Sequence, residues 1–167
     1  MYDPILLAVD GSELAERALP HAVTLARQFG ARLLLVRVVP PVVQPLGVEP
    51  GFSPASGYAQ VIEAESAAAR AYVAQLAQRL QQDGITVEAL TPLGEPAGSI
   101  LEVAAERGVG LIVMATHGRS GLSRLVFGSV AERVLREASV PLLLVRARPT
   151  SAPNSREDAR SFPPPSD

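Results

Sequence analysis

Short, wholly apolar runs alternate along this chain with longer segments of helical spacing, and that alternation narrows the fold more than any other feature. The first run, Ile5-Leu6-Leu7-Ala8-Val9, has no polar position, the pattern of a strand covered on both faces. Ser12 follows as a helix cap, with Glu13 in the first turn, where the helix dipole favours an anion. Leu14, Ala18, Leu25 and Phe29 supply an apolar stripe, and Gly30 ends the helix. Pro20 lies inside this pattern and is expected to kink the helix, not break it, because apolar spacing continues on both sides. Further strands are expected at residues 32–39, 86–91, 111–115 and 142–145. The other helices are expected at residues 58–82, 96–107 and 130–138, with Pro96 at a first helical position that suits it.

Such alternation predicts an α/β fold: a five-stranded parallel sheet with helices on both faces, of the Rossmann-like or flavodoxin-like open kind. An order of 3-2-1-4-5 reverses the winding between strands 1 and 4, and ligands of such sheets bind beyond the strand ends at that reversal. The loops after Val9 and Ala115 are therefore where function is expected. Residues 40–57 hold five prolines and three glycines and read as a long loop, expected to close weakly over a ligand. A single domain is expected over residues 1–147. Residues 148–167, rich in Pro and Ser, cannot offset their ordering entropy and read as a disordered tail.

Composition removes several function classes. A formal charge of −2 argues against a nucleic-acid partner held by phosphate neutralisation. With no cysteine there is no thiol chemistry, disulfide or cysteine zinc site. All 15 basic residues are Arg, so a Walker A lysine, a Schiff base and a kinase-type lysine are absent. No apolar run approaches the roughly 18 residues that span a bilayer, and Met1-Tyr2-Asp3-Pro4 lacks the basic start of a secretory leader. No membrane role is expected, and the location is expected to be cytoplasmic.

The loop after strand 4 carries the most information. Nine residues lie between Gly118 and Gly128, and Gly128-Ser129 opens the last helix. Free N–H groups and a positive dipole end make such a start an anion site, and Arg119 and Arg124 add charge for phosphates. A structural reading competes with this one. Ser129-Val130-Ala131-Glu132 fits the S-x-x-E capping box, in which Ser129 and Glu132 satisfy the helix end internally. Asp10 either accepts from a ligand amine or hydroxyl, or forms the Asp-Gly-Ser turn. His117 has no second histidine nearby, since His21 is on the first helix, so a histidine metal site is not expected. Ser120, Ser123, His117 and Asp10 lack the G-x-S-x-G elbow of a hydrolase, and Asp-Gly-Ser-Glu-Leu replaces the G-x-G-x-x-G of a dinucleotide site. A phosphate cradle without a poised general base points to binding with at most slow hydrolysis. A nucleotide-free scaffold, or a slow ATPase using Asp10 or His117, remain the alternatives.

Over about residues 3–147 the chain resembles the universal stress protein family, through ILLAVDGSE from Ile5, VMATHGRSGLS from Val113, GSVAERVL from Gly128 and VPLLLVR from Val140. The nucleotide-binding branch of that family carries G-x-x-G, nine residues, then G-[ST]. Here the pattern falls on Ala115, Gly118, Gly128 and Ser129, with Ala in place of the first glycine. The resemblance implies the same fold with ATP, or AMP or ADP, across the crevice. It puts Val9 and Asp10 at the adenosine end and Val38 on the base, and it puts Met114, Ala115, His117 and Gly118 beside the ribose and phosphates. Arg119, Gly128, Ser129 and Val130 would hold the phosphate chain, with Mg²⁺ or Mn²⁺ bridging phosphate oxygens and no metal ligand from the chain. It also implies a homodimer through the last strand. The apolar run Leu142, Leu143, Leu144 and Val145, expected at a sheet edge, supplies a reason for pairing.

Overall fold

A computed structural model describes residues 1–41, 55–116 and 128–146. Five parallel strands, β1 (Ile5–Ala8), β2 (Leu33–Val36), β3 (Val87–Leu90), β4 (Leu111–Ala115) and β5 (Leu142–Val145), form one sheet. The order is β3-β2-β1-β4-β5, the expected one. β1 is central, with Leu7 opposite Leu35 of β2 on one side and Val113 of β4 on the other. The helices are α1 (Glu13–Glu16), α2 (Leu19–Phe29), α3 (Ala55–Gln82), α4 (Pro96–Glu106) and α5 (Ser129–Glu137).

The two-residue period of the strands divides the core into two layers. Ile5, Leu7, Leu33, Leu35, Leu111 and Val113 meet Ala22 and Ala26 of α2 and Val73, Leu76 and Leu80 of α3. Leu6, Ala8, Leu34, Val36, Ile112 and Met114 meet Ala97, Ile100 and Ala104 of α4, and Ala131 and Val134 of α5. Leu6, Leu7, Leu35, Ile112 and Val113 are wholly buried. Burial of such side chains stabilises by about 1.5–3 kcal/mol each, so these strands form a stiff base for the loops above them.

Two expectations for the first helix are corrected. Pro20 does not kink one continuous helix, because the chain breaks into α1 and α2 and places Pro20 in the first turn of the second. There its missing N–H removes no helical bond. Nor is Phe29 part of a buried stripe: it is 46% exposed and stacks edge-on against Tyr2, with centroids 4.9 Å apart. The buried line is Ala18, Ala22 and Ala26, small residues that let α2 lie close to the sheet. β2 also ends earlier than residue 39. Arg37 still donates its N–H to the Leu90 carbonyl, and Val39 rejoins Leu93 as an isolated bridge. Ser12 caps α1 as expected, its hydroxyl accepting the Ala15 N–H at 3.1 Å. Most of the expected 40–57 loop and the expected tail at 148–167 lie outside the described residues. Among the described residues, no helix is long and apolar enough to cross a membrane.

Candidate functional site

β1 and β4 are neighbours whose connections leave in opposite directions, which opens a crevice beyond their carboxyl ends. A cavity of about 610 Å³ lies there, of the size that holds small ligands. Val9 and Asp10 after β1, Arg37 and Val38 after β2, and Met114, Ala115 and Thr116 at the end of β4 form much of its wall. Gly128, Ser129 and Val130 close it at the start of α5, while Val61, Glu65 and Ala69 of α3 flank it. Of the site residues expected from sequence, Val9, Asp10, Val38, Met114, Ala115, Gly128, Ser129 and Val130 therefore surround one space. His117, Gly118 and Arg119 lie outside the described residues. Ala115 is buried, and it packs with the core layer on the α2 and α3 side while lining the cavity.

The start of α5 departs from the capping box. Gly128 is the N-cap residue, with extended backbone at φ −58° and ψ 149°. Its N–H donates to the Thr116 carbonyl at 2.8 Å, which ties the helix start to the end of β4, and its carbonyl accepts the Glu132 N–H at 2.9 Å. Ser129 is already the first helical residue, one position too late for its hydroxyl to cap, and no side chain caps this helix. Glu132 is drawn instead to Arg136, at 2.6 Å. The N–H groups of Ser129, Val130 and Ala131 thus have no acceptor among the described residues. They stand at the positive end of the helix dipole, facing the cavity.

Asp10 fulfils its turn role: its Oδ1 accepts the Ser12 N–H at 2.9 Å. Gly11 between them has φ +83°, a left-handed conformation that glycine adopts without strain. α4, which brings Pro96 and Ile100 to the cavity, is capped by Glu95, whose carboxylate accepts the N–H groups of Ala97 at 3.1 Å and Gly98 at 2.7 Å. Gly98 above all holds the Glu95 carboxyl below its ordinary range, with Ala97 and Arg133 assisting.

Sequence reasoning missed Arg37. The residue is only 9% exposed and is among those lining the cavity. The guanidinium carbon lies 5.0 Å from the centroid of the Tyr72 ring, and a Cβ on Gly11 would sit 3.2 Å from its Nη1. Tyr72 in turn donates its hydroxyl to Glu16 at 2.8 Å. Burial first, then that bond to Glu16, pushes the Tyr72 phenol well above its usual range. The signal was visible, since Arg37 is the only charge in the apolar stretch from Leu33 to Val39.

Residues 1–146 match the model of the universal stress protein family. The chain belongs to that family. A universal stress protein of Thermus aquaticus is 39% identical over 146 residues, covering 87% of this chain and 100% of its own. The solved structure of a Methanocaldococcus jannaschii universal stress protein superposes with a TM-score of 0.77 at 26% identity, covering 90% of this chain and 99% of that one. Two further members share the fold. One, from Archaeoglobus fulgidus, is in complex with dAMP, with a TM-score of 0.56, 24% identity and 86% and 97% coverage. The other is in complex with cAMP, with a TM-score of 0.58, 22% identity and 88% and 98% coverage.

Chemically, the crevice offers an apolar floor, a helix start with open N–H donors on one side and a buried guanidinium on the other. That set is chemically suited to a ligand having an acceptor-rich, anionic end.

Proposed function

We propose that this universal stress protein binds an adenine nucleotide in the crevice between β1 and β4, and that it acts as a sensor or regulator with little or no hydrolysis. ATP is the leading ligand, with ADP and AMP in the same class. The observation that carries the reading is the uncapped start of α5. Three consecutive N–H groups without an acceptor among the described residues, at a positive dipole end beside a cavity, suit a phosphate chain. Relatives of the same fold in complex with cAMP and dAMP support a nucleotide as the occupant.

In this reading Val38 packs on the base, Val9 and Asp10 meet the adenosine, and Met114 and Ala115 flank the ribose with His117 and Gly118. Gly128, Ser129 and Val130 hold the phosphates together with Arg119. A Mg²⁺ or Mn²⁺ ion would be carried on phosphate oxygens, where it neutralises charge. Among the described residues no three His, Asp or Glu side chains gather as a cage for it. Asp10 already accepts from Ser12, so it is not assigned the role of a base for water. A cytoplasmic location belongs to the same reading.

A homodimer through β5 is also part of the proposal. Among the described residues β5 is an edge strand paired only with β4, and Leu142, Leu143, Leu144 and Val145 are each only partly buried. A second copy would cover that edge. Calorimetry with ATP and Mg²⁺, joined to mass spectrometry of nucleotide released from freshly purified protein, tests the ligand. Saturable heat or copurified adenine nucleotide is expected. Neither being seen would leave the nucleotide-free scaffold as the better account.

A further inference from the structure

We propose that Arg37, set against the ring of Tyr72, is a positioning residue: it holds the turn Asp10-Gly11-Ser12 in the shape that carries Asp10 to the wall of the crevice. The inference rests on the nucleotide reading above and concerns what keeps the adenosine end of that site in form.

The wall that follows β1 has little strength of its own. α1 is four residues long, and a single helical turn does not hold itself in water. Yet Val9 and Asp10 before it and Ala15 within it line the cavity. Local bonds fix the start of this stretch, where Asp10 closes the turn and Ser12 caps α1. At its far end Glu16 accepts the Tyr72 hydroxyl of α3 at 2.8 Å. In the middle, the buried Arg37 fills the space beside Gly11 that a side chain would take. A Cβ there would lie 3.2 Å from Nη1, 3.4 Å from Cζ and 3.7 Å from Nη2, so the whole guanidinium covers that residue. The same group lies 5.0 Å from the centroid of the Tyr72 ring, within the range of cation–π attraction.

Two accounts of the guanidinium compete. One is charge: Asp10 and Glu16 act on Tyr72 together with Arg37, and any cation there would offset the two carboxylates. The other is shape: a flat group is set against both a glycine and an aromatic face, which suits arginine and not an ammonium on a flexible stem. Geometry favours shape. Gly11 has φ +83°, and any larger residue there would meet strain and the guanidinium at once, so turn and guanidinium are fitted to each other. Tyr72 and Gly11 are not among the described residues that line the cavity. Their effect on a ligand therefore passes through Arg37 and the turn.

Calorimetry of ATP and AMP with Mg²⁺, run well below the melting temperature of each variant, tests this. Tyr72→Leu should weaken both nucleotides by a common factor of roughly three to ten, and Tyr72→Phe, which keeps the ring, should restore most of that loss. Arg37→Lys should lose about as much as Arg37→Met, because charge without the planar group does not hold the turn. Gly11→Ala and Arg37→Met should be coupled, since the methionine removes the group that the new methyl meets. The double variant should accordingly lose less than the product of the two single losses. If Arg37→Met does not fold, the two Tyr72 variants and the lysine variant still decide. Parent affinity in Tyr72→Leu, a loss confined to ATP, no rescue by Tyr72→Phe, or full affinity in Arg37→Lys overturns the positioning role while leaving nucleotide binding intact. Strictly multiplicative losses in the Gly11 and Arg37 pair do the same. No heat from either nucleotide with the parent overturns both.

Discussion

Replacing Ser129 by Ala separates a ligand contact from a structural cap, because the structure gives the hydroxyl no structural task. Gly128 is the N-cap residue, Ser129 is exposed at the first helical position, and no side chain caps α5. Had Ser129 been the cap, its loss would cost about 1 kcal/mol. In a chain of this size that corresponds to a melting temperature lower by about 2–4 °C. With the geometry observed, Ala is a good helix former replacing a residue whose hydroxyl has no partner among the described residues, so the melting temperature of the ligand-free protein should change by less than about 1 °C. Binding is a different matter. A hydroxyl donating to a charged phosphate contributes about 1.5–3 kcal/mol, so ATP affinity should fall roughly ten- to a hundredfold. Calorimetry and a thermal melt on the same two proteins read both quantities. A variant that melts several degrees lower yet binds ATP with unchanged affinity would refute the reasoning at both points.

Other consequences can be measured on the same scaffold. The Pro141 and Val145 carbonyls accept from β4, so by the two-residue alternation Leu144 turns its N–H outward to the open edge. Leu144→Pro should therefore convert a dimer to a monomer in light scattering while nucleotide binding persists, whereas an unchanged mass would exclude pairing through β5. At Gly110 a Cβ would lie 2.8 Å from the Met1 carbonyl oxygen and 2.9 Å from the Tyr2 Cα, backbone atoms that cannot swing aside. Gly110→Ala should accordingly destabilise by about 1–3 kcal/mol, and a chemical melt matching the parent would contradict that. Glu95 is held below the ordinary carboxylate value of 4.5 chiefly by the Gly98 N–H. Its stabilising contribution is therefore complete above that value and lost as the pH falls through the lower folded one. Glu95→Gln should flatten the decline in melting temperature between about pH 5 and pH 3, and parallel curves for the two proteins would count against the cap.

The frame was legible because both faces of the inner strands are buried. Leu6 and Leu7 of β1 and Ile112 and Val113 of β4 point alternately into two core layers, and only an uninterrupted apolar run satisfies both. The crevice was legible for a related reason, since the strand order alone locates the reversal of winding. Details governed by one backbone turn were not. Whether Ser129 caps α5 depends on whether Gly128 or Ser129 is the last extended residue, and S-x-x-E is compatible with either. The place of Pro20 likewise depended on a break after Glu16 that the apolar spacing does not mark. Arg37 was passed over because a charge near the end of a strand resembles a solvated one. Its burial arises only when Gly11 and Tyr72, from two other elements, are packed against it.

That packing also bears on how an occupied crevice would be sensed. Arg37 touches Gly11 of the turn that carries Asp10, and it lies over Tyr72 of α3. Tyr72 binds Glu16, the last residue of α1. Arg37, a lining residue of the cavity, thus belongs to a ring of contacts joining the end of β2, α3, α1 and the β1 turn. The phosphate side has its own link, the Gly128 N–H to the Thr116 carbonyl between α5 and β4, and β4 in turn pairs with β5. Only the second route enters β4 directly and so reaches β5, whereas the Arg37 N–H on the Leu90 carbonyl leads to β3 at the opposite edge. If nucleotide occupancy is communicated to a second copy through β5, the phosphate end of the ligand should govern assembly more strongly than the base does. Exchanging ATP for AMP should then shift the monomer–dimer balance more than exchanging ATP for GTP. Equal shifts from the two exchanges would separate ligand binding from assembly.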